Sequence, residues 1–137
     1  LAGGNPTGST STTGVMMGLG RSPGLFVITP TASGKVFFVI TGSINNNTAG
    51  SGAIAAAYYG TGIAPANGGA IAGTPIGGAA FRIGGGWAAA AATPFTCAGV
   101  ITGLTAGTQI WIDLSLAISG SGTATITNAA LSAFTLP

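Results

Sequence analysis

Residues 109–118, QIWIDLSLAI, constrain the fold more than any other stretch of the chain. Ile110, Ile112, Leu114, Leu116 and Ile118 share one parity, and Trp111, Asp113, Ser115 and Ala117 share the other. A period of two turns one side chain after another to opposite faces of a strand, so the first set marks a core face. The second set holds Asp113, the only acidic residue of the chain, beside a tryptophan. Similar short apolar runs recur along the chain: 14–19, 25–30, 35–42, 53–60, 79–84, 94–103, 122–127 and 130–136. SGK, NNNTAGSG, LTAGT and SGSG separate several of them, and Gly, Asn, Ser and Thr are turn residues. The five alanines at 88–92 are too few to nucleate a helix. The pattern predicts an all-β chain: a single β-sandwich of jelly-roll type over residues 15–137. Residues 1–14, rich in Gly, Ser and Thr with little apolar anchorage, read as an extended N-terminal arm ordered by a neighbouring subunit or a shell.

Charge narrows the function. Of 137 residues, 3 are basic, 1 is acidic and none is histidine, so 3% of the chain is charged. A usual domain carries about 25%. Small residues must therefore cover most of the exterior, which suits permanent contact with other subunits better than free diffusion. Without histidine there is no Ser-His-Asp or Cys-His arrangement, and one carboxylate cannot make the acid/base pair of a glycosidase. No catalytic residue, cofactor or metal site is expected: one Asp is a poor calcium site and one Cys a poor zinc site. Cys97 reads as an apolar filler. SGKV lacks the upstream Gly and the following Ser or Thr of a phosphate loop, and GTGIAPANG has Pro65 where a dinucleotide fingerprint needs Gly. Three cations make no nucleic-acid footprint. No run of about 18 residues is apolar without interruption, and two Trp and two Tyr are few for the girdles of a membrane barrel, so no membrane partner is expected. Nothing at the start of the chain reads as a secretory signal. Asn46-Asn47-Thr48 is formally a glycosylation sequon, in a turn that wants Asn in any case.

The blocks YYGTGIAPANGGAIAGT (58–74) and GLTAGTQIWIDLSLA (103–117), in the order in which they follow TSTTGVMMGLG and SGKVFFVITGSINNNTAGSG, resemble a module of tailed-bacteriophage virion structural proteins. The resemblance covers residues 10–136. It implies a β-sandwich like the tumour-necrosis-factor jelly roll, commonly a homotrimer, used as a fibre or decoration domain. It implies a non-enzymatic protein of the virion surface whose partners are its own copies, the major capsid protein or other virion proteins. The alternative is a head or tail fibre tip that binds a host-surface receptor, a glycan or a protein. AIAAAYYG departs from the family in carrying Ala where polar residues often stand, which points to a buried interface on that side.

KVFFVITG supports such an interface, because it is apolar on both parities. The expected interface residues are Lys35, Phe37, Val39, Arg82, Trp111 and Asp113, with Asp113 paired to Lys35 first and Arg82 second, since a buried carboxylate wants a partner. Solvation of Asp113 is the other reading. Tyr58, Tyr59 and Trp87 would supply a stacking platform for a receptor if they clustered at one end. The 60–78 segment is long for a loop; it is expected to pack on a neighbouring subunit or to contact a ligand.

Overall fold

The structure is a computed structural model. It describes residues 5–21, 26–77 and 88–137, together with the backbone of 81–83. Among the described residues nine strands are formed: β1 (Val15–Met16), β2 (Val27–Ile28), β3 (Val36–Asn46), β4 (Gly52–Thr61), β5 (Thr74–Pro75), β6 (Phe81–Ile83), β7 (Thr93–Ile101), β8 (Ile110–Ser119) and β9 (Ala124–Thr135). All pairings are antiparallel.

Two sheets face each other. The smaller runs β7-β3-β9, and Ser9 of the arm bridges Ala124 at the free edge of β9. In the larger, β8 and β4 lie side by side; β1 and β2 pair with the outer edge of β8, and β5 and β6 with that of β4. If β1–β2 and β5–β6 are each taken as one interrupted strand, the sheets read arm-β9-β3-β7 and β1/β2-β8-β4-β5/β6. Every connection then crosses between the sheets except the one from β4 to β5. This is the eight-strand jelly roll expected from the strand spacing.

The core forms where the alternation places it. Ile112, Leu114 and Leu116 of β8 are fully buried, facing Phe38 and Ile40 of β3 and Ile126 of β9. Each such side chain contributes about 1.5–3 kcal/mol by leaving water. The alanines of β4 resolve the departure noted above: Ala53, Ala55 and Ala57 lie in this core rather than at a subunit interface. Small side chains on β4 let the bulky row of the paired β8 fill the space between the sheets. Cys97 is buried in the same core, and burial pushes its thiol up to about 11, so it acts as filler.

Two strands are longer than the turn chemistry suggests. β3 runs through Gly42 to Asn46, and 122–127 and 130–136 join into the single strand β9. The register between them shifts between Thr41 and Ser43, and Asn128 takes a positive φ of 54° there. An extra residue is thus absorbed as a bulge, which keeps both halves of β9 facing the core. The Asn128 amide donates to Oδ1 of Asn5. Residues 88–92 are irregular, as expected.

The arm differs from expectation. Its backbone bonds to its own sandwich: Ser9 and Ala124 exchange two hydrogen bonds of 2.8 and 2.9 Å, and Ile118 donates to Ser11. Residues 5–14 need no neighbouring subunit to be placed, because an open edge of their own sheet offers unpaired backbone groups.

Candidate functional site

The outer face of β8 was expected at a subunit interface. Instead the chain covers it with its own loops. Trp111 is 4% exposed and packs with Met16 and Ala64, with Val27 and Tyr58 against them. The 62–73 segment folds back over this face. Met16 donates to Gly69 and accepts from Gly68, while the side chain of Asn67 exchanges hydrogen bonds with the backbone of Thr7. The indole N–H of Trp111 donates to the carbonyl of Thr61 at 3.2 Å. Glycine makes room for the ring. A Cβ on Gly60 would collide with the indole, and one on Gly73, at a φ of +83°, would come within 2.5 Å of it. The long loop is therefore an intramolecular cover on its inner side, while its outer side, with Ile63 87% and Ile71 42% exposed, stays open.

Asp113 lies under this cover and is 0% exposed. Its Oδ2 accepts from the amide of Gly18 at 2.9 Å, and its Oδ1 from the amides of Leu19 and Leu114 at 3.0 and 2.8 Å. The expected cation is not its partner. Lys35 is exposed and belongs to the other sheet, and no ion pair occurs among the described residues. The Arg82 side chain lies outside the described residues; its backbone faces Ile54, four positions along β4 from Tyr58, the register partner of Asp113. Three backbone donors replace a cation: the 18–21 turn presents the consecutive amides of Gly18 and Leu19, and Leu114 adds its own. Burial raises the carboxyl from 3.8 to about 6, and the hydrogen bonds from Leu19, Leu114 and Gly18 hold it from going further.

The outer face of the smaller sheet is different. Phe37 and Val39 of β3 point outward and are half-buried, while Val36, Phe38 and Ile40 point into the core. Phe37 sits opposite Val100 of β7 and Phe134 of β9, and Val39 opposite Ala98 and Ser132. The Phe37 and Phe134 rings lie 5.1 Å apart, tilted by 37°. Phe134 is 54% exposed and Val100 47% exposed. Lys35 shares this parity and stands at the end of the row, so the face is an apolar strip with one cation at its edge. A groove of about 320 Å³ borders it, lined by Val27, Ile28, Leu131, Ser132, Ala133 and Phe134. Among the described residues no titratable side chain lines the groove.

The aromatic platform is not assembled from the two tyrosines. They are adjacent on β4, so Tyr58 joins the Trp111 cluster while Tyr59 packs on the core between the sheets. Trp87 lies outside the described residues. The sequon is structural: Asn46 is 7% exposed, and its Nδ2 donates to the carbonyls of Gly52 and Ser121. Sequence reasoning missed Val100 and Phe134, which become neighbours of Phe37 only through sheet pairing. The signal available was their parity within strands that also carry inward residues. Among the described residues no three His, Cys, Asp or Glu gather, and no helix is long and apolar enough to cross a membrane.

No family model and no curated protein matches the chain. Solved structures with some likeness include the infectious bursal disease virus VP2 subviral particle, at 12% identity and a TM-score of 0.44, over 97% of this chain and 35% of that one. Another is the structure of infectious bursal disease virus Gt strain, at 16% identity and a TM-score of 0.43, over 93% of this chain and 32% of that one. The chain spans about a third of the length of each of these.

Proposed function

We propose that this protein is a non-enzymatic structural protein of a bacteriophage virion, a homotrimeric decoration protein on the capsid surface. The observation that carries the reading is the outer face of the β7-β3-β9 sheet, where Phe37, Val39, Val100 and Phe134 form an apolar strip that no described residue of the chain covers. Its sister sheet shows that this chain covers apolar outer faces when it can. Burial of such strips is how obligate interfaces are built; they bury about 2,000 Å² or more and resemble a core cut in half. The scarcity of charge agrees with a subunit that lives in an assembly rather than in dilute solution. The jelly-roll order and the tailed-phage motif blocks support the virion setting. Residues 1–14 form an arm that bonds through Ser9 to the edge of β9, and in this reading the arm also contributes to attachment to the major capsid protein.

Sedimentation at micromolar concentration tests the first part. The parent chain is expected to be a trimer, and Phe134→Asp a folded monomer, since a charge is then placed in the buried strip. A parent that is a stable, soluble monomer rejects the trimer. Imaging of the intact particle tests the second: density in threes on the shell supports decoration, and density at a tail tip rejects it. Deleting residues 1–14 is expected to weaken attachment to the particle; because Ser9 bridges Ala124 at the edge of β9, loss of folding on deletion would show that the arm serves as an integral strand instead.

A further inference from the structure

The sheet edges of this sandwich are not treated alike. Both edges of the larger sheet are cut into short pieces, β1, β2, β5 and β6. Such pieces offer another chain little backbone to pair with. In the smaller sheet the arm bonds to the free edge of β9 through Ser9 and Asn5. β7 is different. It runs unbroken from Thr93 to Ile101 and pairs with β3 on one side, and no described residue pairs with its other side.

The hydrogen bonds fix which groups that edge presents. Ser9 and Ala124 exchange both their bonds, so Ala124 turns its backbone groups away from β3. Its register partner Asn46 then turns away from β9, and it accepts from Ala90 on the β7 side. Backbone groups alternate along a strand, and the bulge lies on β9, so the even-numbered residues 36–44 of β3 all point at β7. At the far end the Lys35 carbonyl accepts from Leu136, which fixes the same parity. The odd-numbered residues of β7 are the partners of those even ones and spend their backbone groups on β3. Pro94, Thr96, Ala98 and Val100 are left facing outward. Proline at 94 agrees, because on that side it has no ladder donor to lose. All four are exposed and none is charged.

We propose that the outer edge of β7 is a strand-addition site for a second copy of this chain: two β7 strands pair antiparallel across a two-fold axis and join two β7-β3-β9 sheets into one. The edge is complementary to itself. With Ala98 opposite the partner's Ala98, and Thr96 opposite the partner's Val100, every outward N–H and C=O of these residues finds a bond. One register earlier sets Pro94, which has no N–H, against the partner's Val100; one register later runs past the end of β7 at Ile101. The side chains along the edge are small, and β7 carries no charge to repel a second copy, where edge lysines are the usual deterrent. Val100 belongs both to the edge and to the apolar strip, so pairing sets the strips of two copies side by side on one outer face. The proposed trimer uses the face of this sheet and not its edge, so the pairing goes beyond it and links trimers two by two. So short a contact buries far less than the ~1,200 Å² of a stable interface. It therefore acts at the high local concentration of an assembly and not in micromolar solution.

Amide hydrogen exchange on the full chain, at about 10 µM and about 1 mM, tests it. At the higher concentration the amides of Thr96, Ala98 and Val100 are expected to gain protection by about tenfold or more, while those of Cys97 and Gly99, bonded to β3, stay protected throughout. Exchange at Thr96, Ala98 and Val100 that does not change with concentration overturns the proposal. The same gain is expected in Phe134→Ser, which alters the face and leaves the edge. A gain confined to the parent assigns the protection to the face of the sheet and overturns the edge pairing. Ala98→Pro removes an outward donor and leaves the bonds to β3 in place, so the gain at Thr96 and Val100 should vanish; a gain that persists also overturns the proposal. Should the proline variant fail to fold, Thr96→Lys, which sets a cation against the partner strand, is expected to abolish the gain and decides in its place.

Discussion

The two sheets of this sandwich present the same kind of outer surface and are finished differently. On the larger sheet, Trp111, Tyr58 and Met16 form an apolar outer patch that the 62–73 loop covers, so β8 is buried on both faces along almost its whole length. On the smaller sheet, Phe37, Val39, Val100 and Phe134 form a comparable strip with no such loop among the described residues, and Phe134 remains half exposed. The difference teaches where the chain is self-sufficient and where it needs a partner. A face covered from within contributes to the stability of the monomer. A face left open contributes only when another molecule arrives.

The sharpest way to break this comparison is to cut one anchor from each face. Trp111→Ala is expected to cost about 3–5 kcal/mol, as for any large buried aromatic. Its unfolding midpoint in denaturant checks this; a cost under about 1 kcal/mol would mean that the 62–73 cover does not seal the outer face.

The next effect comes from pH. Asp113 has a folded-state value raised from 3.8 to about 6. The folded protein therefore binds its proton more tightly than the unfolded chain, so stability is fully present below about 3.8 and is lost as pH rises through about 6. The span corresponds to about 3 kcal/mol. The protein should thus unfold at a higher denaturant concentration at pH 4 than at pH 7.5, the reverse of ordinary acid denaturation. A midpoint that falls on acidification would show that the three amides outweigh the burial of the charge.

Gly73→Ala sharpens the picture of the cover itself. The added methyl meets the Trp111 ring and the Tyr59 carbonyl, each at 2.5 Å, at a backbone conformation that L-residues resist. Overpacking of this kind costs about 1–3 kcal/mol. Thermal unfolding of the variant measures it. The smallest effect on folding is expected from Phe134→Ser, within about 0.5 kcal/mol for the isolated subunit. The same change should abolish self-association, read by sedimentation. If Phe134→Ser is as damaging to the monomer as Trp111→Ala, the two faces do not differ in the way described.

The core was written in local pattern. Alternation alone placed Ile112, Leu114 and Leu116 inward on β8, because a strand has only two faces and one of them must be dry. On β3 both parities are apolar, so alternation did not choose between them; packing between the sheets turns Val36, Phe38 and Ile40 inward and leaves Phe37 and Val39 outward. The jelly-roll class followed from the number and spacing of short strands with turn residues between them. The bulge at Asn128 did not follow, since nothing local distinguishes a turn residue that ends a strand from one that is absorbed into it.

Tertiary structure decided which outer face is closed and what surrounds Asp113. Alternation put Asp113 on the second face of β8 but could not say what lies over that face. The answer depends on Gly18 and Leu19, more than ninety residues away in the chain, and on a loop whose glycines clear a path around Trp111. The carboxylate consequently found backbone amides rather than Lys35. Side-chain parity is a property of a strand and is fixed by its own covalent geometry. The partner of a buried charge is a property of the whole packing, because any segment with unpaired donors can compete for it, and the winner is the one the fold brings within 3 Å.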